Sequence, residues 1–228
     1  KNIFFTTIVS NIENILIQNG YSTIICDYKN DIELEKQKFN FLVNKQVDGI
    51  IIIPQSDNVR HIKEQLKKNM PIVLLDRALE GVECDTVLVD NMNASYNAVE
   101  HLITRGHKSI GIICGPDNIF TAVERLKGYM RVHKDYSMKI DESLMKRGDN
   151  DVESGYTCLN ELLDLQVPPT AVFVTNYEMT LGAIMALNER NIKIPDELSI
   201  VGFDNLHMAR IVKPSLSIVV QPMEQIGE

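Results

Sequence analysis

Short apolar runs alternate along this chain with segments that have helical spacing. Residues 50–53 are four consecutive isoleucines, and residues 198–201 form a similar run behind a proline. Short runs without polar alternation are typical of strands that are covered on both faces. The intervening segments place apolar residues three or four positions apart, as in Phe5, Ile8 and Ile12. Strands separated by helices pair in parallel, so the sequence predicts an α/β fold with doubly wound parallel sheets.

The number of runs indicates two lobes rather than one sheet. The predicted strands are residues 22–26, 50–53, 71–75, 86–89, 109–114, 144–146, 171–174, 198–201 and 216–220. About nine strands are too many for one compact sheet of this kind. The break is predicted at Asp90-Asn91, where a strand runs straight into a helix.

The charge and cysteine content narrow the possible settings of the chain. Its 228 residues carry a net charge of −8, which does not attract the phosphate backbone of nucleic acids. No apolar run reaches 18 residues, so no membrane-spanning helix is predicted. The four cysteines form no CxxC pair and are expected to be free buried thiols. Free thiols favour a reducing, cytoplasmic location.

Motifs that would carry catalysis or bind a cofactor are absent from the sequence. It contains no phosphate-binding GxxxxGK[ST] loop, no GxGxxG loop, no GxSxG nucleophile elbow and no HExxH zinc motif. The five histidines are scattered, and none pairs readably with a carboxylate and a nucleophile. We therefore expect no enzyme activity, no cofactor and no metal site.

Polar residues follow several of the predicted strands. They are Asp76, Arg77, Asp90, Asn91, Thr175, Asn176, Asp204, Asn205 and Gln221, with Arg125 near the start of a helix. Ligands of open α/β sheets bind beyond the carboxyl ends of the strands. These side chains offer donors and acceptors that match vicinal hydroxyls, and the rings of Phe4 and Phe5 match the apolar face of a sugar. A polyol-like ligand is the predicted class.

Each candidate also has a structural alternative. Asp204 and Asn176 are equally suited to capping the helices that follow them. The pair Asp76 and Arg77 fits a surface ion pair of small energetic value. Phe4 and Phe5 fit a helix face buried in the core, and Arg125 fits a solvated helix position.

The motifs, taken in order, resemble the effector-binding core of LacI/GalR-type bacterial transcription regulators, which has the type I periplasmic-binding-protein fold. They are NIFF at residues 2–5, NGY at 19–21, VDG at 47–49, PIVLLDR at 71–77, VDN at 89–91, ERLKGY at 124–129, SGY at 154–156, PTA at 169–171 and IPDELSIVGFDN at 194–205. No single motif is specific, whereas their order and intervals together are.

The resemblance implies a division into two lobes with a ligand cleft between them. Residues 1–90 with 220–228 would form the N-terminal lobe, which lacks its first strand, and residues 91–219 the C-terminal lobe. The implied effector contacts are Asn2, Phe4, Phe5, Asp76, Arg77, Thr121, Arg125, Asn176, Asp204 and Gln221. A homodimer that binds operator DNA through a helix-turn-helix domain outside this chain is also implied.

Three positions depart from relatives that place a polar side chain, a charge or an aromatic ring near their ligands. They are Ile53, Ile119 and Asn150. The departures favour a sugar or sugar phosphate over a purine as effector. One alternative is an exported sugar-binding protein of an ABC transporter with the same fold. A second is a regulator core that senses a protein partner and leaves the cleft unused.

Overall fold

The computed structural model describes residues 3–29, 31–56, 59–204 and 206–228, without the side chains of residues 3 and 206–208. The chain divides into two compact units. The first unit comprises Lys1–Val89 and Pro222–Glu228, and the second comprises Asp90–Gln221.

Helices and strands alternate along the described chain. In order they are α1 (Ile3–Gln18), α2 (Ile32–Asn44), β1 (Ile50–Ile52), α3 (Arg60–Leu66), β2 (Ile72–Leu75), β3 (Asp85–Val87), α4 (Asn91–Thr104), β4 (Ile110–Cys114), α5 (Phe120–Asp135), a 3-10 turn (Glu142–Leu144), β5 (Met145–Arg147), α6 (Val152–Leu163), β6 (Ala171–Val174), α7 (Tyr177–Glu189), β7 (Ser199–Phe203), α8 (Leu206–Ile211), β8 (Ser217–Val219) and α9 (Met223–Gly227). This is the α/β architecture that the sequence predicts.

Each unit contains one parallel sheet. The first unit has strand order β1-β2-β3, with Ile50 opposite Ile72 and Val73 opposite Asp85. The second unit has order β5-β4-β6-β7-β8, and every pairing is parallel. Parallel strands end at one edge of a sheet, so polar residues that follow them are collected there.

The sheet of the second unit is covered on both faces. Successive residues of β6 point to opposite sides, so Phe173 packs into the core cluster with α4 and α5, while Val172 and Val174 pack with α6 and α7. Gly128 lets α4 and α5 approach closely, since a Cβ there would lie 2.8 Å from the Ser95 Cβ. This two-sided burial explains the uninterrupted apolar runs of β4 and β6.

The first unit departs from the sequence prediction at two places. Residues 22–26 form no strand, because no strand of the described chain pairs with them. Ile51 is 45% exposed, so the expectation that residues 50–53 are buried on both faces is wrong at its middle. Among the described strands only β2 pairs with β1.

The boundary residues fall in the second unit for local reasons. The resemblance implies that Asp90 belongs to the first lobe. In the structure its carboxylate caps α4 by accepting the amide of Asn93 at 3.0 Å. The resemblance implies the same lobe for Gln221, whereas its side chain donates hydrogen bonds to Asp204 of the second unit. Each boundary residue therefore groups with the elements that its side chain contacts.

Candidate ligand-binding site

Asp76 and Asp204 are built into the two sheets in the same way. Each directly follows a strand and adopts a left-handed backbone, with φ of 66° and 60°. The amide of Asp76 donates to the Val87 carbonyl at 2.9 Å, and that of Asp204 to the Val219 carbonyl at 2.7 Å. Both acceptors are the last residues of the neighbouring strands. Asp tolerates this conformation better than bulkier residues, so a carboxylate stands at the carboxyl edge of each sheet.

The carboxylate of Asp204 is held by Gln221. The Gln221 Nε2 donates to both carboxylate oxygens of Asp204, at 2.9 Å each. A carboxylate can only accept, so the amide nitrogen must face it and the amide oxygen must face away. Gln221 is 3% exposed, and its Oε1 has no hydrogen-bond partner among the described residues. A buried acceptor without a donor costs free energy, so this oxygen is suited to a ligand hydroxyl.

Arg125 is buried, contrary to the alternative of a solvated helix residue. The side chain is on α5 and the residue is 7% exposed. Its Nε donates to the Asn91 Oδ1 at 2.8 Å, and its Nη1 donates to the Thr175 carbonyl at 2.6 Å. The guanidinium carbon lies 3.7 Å from the centre of the Phe203 ring. Hydrogen bonds and a ring face therefore fix the plane of a buried cation.

Phe203 is the residue of this site that the sequence analysis missed. It ends β7, directly before Asp204, and is fully buried. A desolvated cation–π contact contributes about 2 kcal/mol. An aromatic residue next to a predicted site carboxylate was the available signal, although nothing in the sequence pairs it with Arg125.

Thr121 and Asn176 lie at helix starts in the second unit. Thr121 is one turn before Arg125 on α5, on the same helix face, and is 9% exposed. Asn176 is the N-cap of α7, and its Oδ1 accepts the amide of Met179 at 3.0 Å. The capping alternative for Asn176 is thus present in the structure, and its role as a ligand contact stays a prediction.

The aromatic candidates of the first unit differ in burial. Phe4 is 6% exposed and packs with Ile8, Leu75 and Ile226, as the core alternative predicts. Phe5 is half-buried, with its ring centre 5.1 Å from that of Phe4 in an edge-to-face arrangement. Asn2 lies outside the described residues.

Asp76 and Arg77 do not fit the structural alternative of an exposed surface ion pair. Asp76 is 7% exposed, and the Arg77 Nη1 donates to the Pro54 carbonyl at 2.9 Å. The Arg77 Nε is buried and has no hydrogen-bond partner within the part of the chain that the structure describes. Arg77 therefore combines a structural contact with a donor that a ligand oxygen can satisfy.

No group of three or more His, Cys, Asp or Glu side chains in the described ranges could hold a metal ion. Within those ranges, no helix is both long and apolar enough to cross a bilayer.

Comparison with known proteins places these features in a family. A sequence profile described as "Periplasmic binding proteins and sugar binding domain of LacI family" matches residues 1–228. The chain belongs to this family. The repressor CytR of Escherichia coli K12 is 33% identical over 224 residues, which is 98% of this chain and 66% of that protein. The repressor PurR of Proteus mirabilis is 33% identical over 228 residues, or 99% of this chain and 67% of that protein.

Solved structures of LacI-family regulators share the fold. A sugar-binding transcriptional regulator of this family from Escherichia coli, complexed with phosphate, aligns with a TM-score of 0.87 at 29% identity. The alignment covers 99% of this chain and 81% of that one. The chain is thus a LacI-family effector-binding domain, and it spans about two thirds of the length of its curated relatives.

These relatives also bear on the rival hypotheses. CytR and PurR are named as repressors and not as enzymes or transport components. The comparisons therefore do not favour the exported sugar-binding protein. They agree with the expectation of a chain without catalytic activity.

Proposed function

We propose that this chain is the sensor of a LacI-type repressor and binds a sugar or sugar phosphate. The second unit supplies Thr121, Arg125, Asn176, Asp204 and Gln221 as ligand contacts. The first unit supplies Asn2, Phe4, Phe5, Asp76 and Arg77. Effector binding changes operator affinity by favouring one of two conformational states.

The observation that carries this proposal is the arrangement of Asp204 and Gln221. The Gln221 amide nitrogen binds the Asp204 carboxylate, and the buried amide oxygen of the same side chain has no donor among the described residues. One sugar hydroxyl can donate to this amide oxygen, and a second can donate to a carboxylate lone pair that Gln221 does not use. The buried cation of Arg125, in the same unit, suits a sugar oxygen or a phosphate group.

Operator binding is proposed to lie outside this chain. Its net charge of −8 does not favour the phosphate backbone, so a helix-turn-helix domain would supply the DNA contacts. We propose that two copies associate, which places two such domains on a symmetric operator. A repressor acts where DNA is, so the proposed location is cytoplasmic.

The ligand proposal is tested with a sugar panel. D-ribose, D-galactose, D-glucose and their terminal phosphates are screened by thermal shift and calorimetry, with adenine and guanine as purine comparisons. A ligand at 100 times its Kd stabilises the folded state by about 2.7 kcal/mol, which raises Tm by about 5–10 °C. We expect such a shift with at least one sugar or sugar phosphate.

The variant Asp204→Asn tests whether the sugar binds at the carboxylate of Asp204. Asn tolerates the left-handed backbone of position 204, so the change removes charge without straining the chain. Loss of a hydrogen bond to a charged group is expected to weaken binding by roughly 10- to 150-fold. Asp196→Asn, an exposed position, is the matched control and should bind as wild type does. A panel with no shift, or a shift that survives Asp204→Asn unchanged, contradicts the proposal.

A further inference from the structure

Three consecutive backbone groups after β1 are each held by a side chain from elsewhere in the first unit. The Tyr28 hydroxyl donates to the Ile53 carbonyl at 2.6 Å. The Arg77 Nη1 donates to the Pro54 carbonyl at 2.9 Å. The Glu35 Oε2 accepts the amide of Gln55 at 2.7 Å. We call residues 53–55 the β1 loop, and it has little freedom to move without breaking one of these bonds.

Glu35 is the acidic member of this set and is buried. It lies in the first turn of α2 and is 2% exposed. The His61 Nε2 of α3 lies 3.2 Å from its Oε1, without hydrogen-bond geometry, and the His61 ring packs edge-on against Phe39 at 5.0 Å. A buried carboxylate is costly unless it is paired and hydrogen-bonded. The contacts of Glu35 with the Gln55 amide and with His61 therefore offset the cost of burying its carboxylate.

The negative charge of Glu35 also affects the pKa of Tyr28. Burial, followed by the negative charge of Glu35, raises the pKa of Tyr28 to about 12. The phenol therefore stays protonated throughout the neutral range and remains a donor to Ile53. An ordinary phenol is also protonated at neutral pH, so Glu35 acts on the β1 loop through its hydrogen bond to the Gln55 amide.

The β1 loop connects Glu35 to a proposed ligand contact. The Pro54 carbonyl accepts from the Arg77 guanidinium, and Ile53 packs against the same buried cluster as Phe5. A shift of the β1 loop would therefore move the acceptor that holds Arg77. No hydrogen bond among the described residues joins Glu35 to Arg77, so the β1 loop is the bonded route between them.

We propose that Glu35 is a positioning residue that holds the β1 loop in one conformation and thereby fixes Arg77 for ligand binding. The proposal rests on the proposed function, because only there is Arg77 a ligand contact. Preorganisation of this kind raises affinity by removing the entropy cost of ordering a loop when the ligand arrives.

The test compares Glu35→Ala with Glu35→Gln in the whole chain. Glutamine keeps the shape and one acceptor oxygen, so it should rescue the hydrogen bond to Gln55. Glu33→Ala is the matched control, because Glu33 is exposed in the same helical turn and its carboxylate pairs with the exposed Lys36 side chain. Amide hydrogen exchange of Gln55 is followed by NMR, with the amide of Leu74 in β2 as a monitor of global opening.

We expect Gln55 exchange to be about tenfold faster in Glu35→Ala, as the loss of one hydrogen bond predicts, with Leu74 exchange unchanged. The Nε–H resonance of Arg77 should shift in Glu35→Ala, and Glu35→Gln should restore both signals towards wild type. Unchanged Gln55 exchange overturns the proposal. So does faster Gln55 exchange with an unmoved Arg77 signal, because Glu35 would then act on the loop alone.

The ligand arm separates this inference from the proposed function. D-ribose and D-ribose 5-phosphate are titrated into the same variants. Weaker binding in Glu35→Ala, restored by Glu35→Gln, supports the inference. If the wild type binds neither these nor any other panel sugar, the proposed function fails, and the Gln55 and Arg77 signals still decide whether Glu35 positions Arg77.

Discussion

At the scale of single residues, Arg125 is the most constrained group of the second unit. Its cation is buried against the Phe203 ring and bonded to Asn91 and to the Thr175 carbonyl. Removing one partner of a buried charge usually costs more than the contact contributes, because the charge stays behind unpaired. The contribution of the contact between Arg125 and Phe203 to stability therefore has to be measured by varying both residues, singly and together.

A double-mutant cycle tests the contact between Arg125 and Phe203. We expect Arg125→Met and Phe203→Leu each to lower the free energy of unfolding, and the double variant to lose less than their sum. The coupling energy should be about 1–2 kcal/mol, as for a desolvated cation–π contact. Urea unfolding of the four proteins measures it.

The matched control pairs Arg125→Met with Phe173→Leu. Phe173 is also fully buried, with its ring centre 6.4 Å from that of Phe203, and among the described residues it makes no cation–π contact. Coupling in this control should be much smaller. If the losses in unfolding free energy from Arg125→Met and Phe203→Leu simply add up, the two side chains touch without a favourable cation–π interaction.

The residue scale also shows what the sequence can predict about the site. The strand-end positions of Asp76 and Asp204 follow from apolar runs that end in polar residues. Their left-handed backbones do not follow from such runs, because the hydrogen bonds that accompany them join each amide to the end of another strand. The burial of Arg125 is equally non-local, since it depends on where α4, β6 and β7 meet α5.

At the scale of elements, side-chain caps determine where several helices begin. Asp31, Asp90, Asp151 and Asn176 each accept backbone amides from the first turn of the following helix. The first amides of a helix have no partner within it, and Asp and Asn satisfy them best. A polar residue at the edge of a sheet can therefore be a cap rather than a ligand contact, as Asn176 illustrates.

Asp151 gives a pH-dependent prediction. The hydrogen bond from the Ser154 amide, together with the Ser154 hydroxyl close by, lowers the pKa of the Asp151 carboxyl below its ordinary value of 3.8. A lowered folded-state pKa gives stability that is complete above the unfolded value and is lost as pH falls through the folded value. Asp151→Ala should therefore cost about 1 kcal/mol at pH 7 and progressively less below about pH 4.

Asp151→Asn is the control for this effect. Its amide oxygen keeps the cap, so the loss at pH 7 should be smaller than for alanine, and its own contribution should not titrate. Urea unfolding at pH 7, 5 and 3.5 measures all three proteins. An alanine deficit that stays constant across this range would refute the assigned role of the carboxylate.

The elements were predictable where the signal is local. Each strand of the second unit lies within a few residues of its predicted run, because apolar runs and helix stops are features of neighbouring residues. The failure at residues 22–26 has the opposite cause. Their apolar composition suits a strand, but a strand exists only when a neighbour supplies hydrogen bonds, and no described strand pairs with them.

At the scale of the whole molecule, the two units differ in how the chain builds them. The second unit is one continuous segment, Asp90–Gln221, with a five-stranded sheet between two hydrophobic clusters. The first unit is completed by Pro222–Glu228, whose helix α9 inserts Ile226 into the cluster of Phe4, Ile8 and Leu75. Their folding should therefore depend differently on chain continuity.

We expect a fragment of residues 90–221 to fold alone and to unfold cooperatively in urea, with a stability of at least about 5 kcal/mol. A fragment of residues 1–89 should be much less stable, since it lacks Ile226.

In the intact chain, Ile226→Ala should lower the free energy of unfolding of the first unit by about 2–5 kcal/mol. Tyr129, in the second unit, and Tyr28, in the first, allow NMR to follow each unit separately. A 90–221 fragment without dispersed core resonances, or an Ile226→Ala change that shifts both unfolding transitions equally, would mean that the units fold only together.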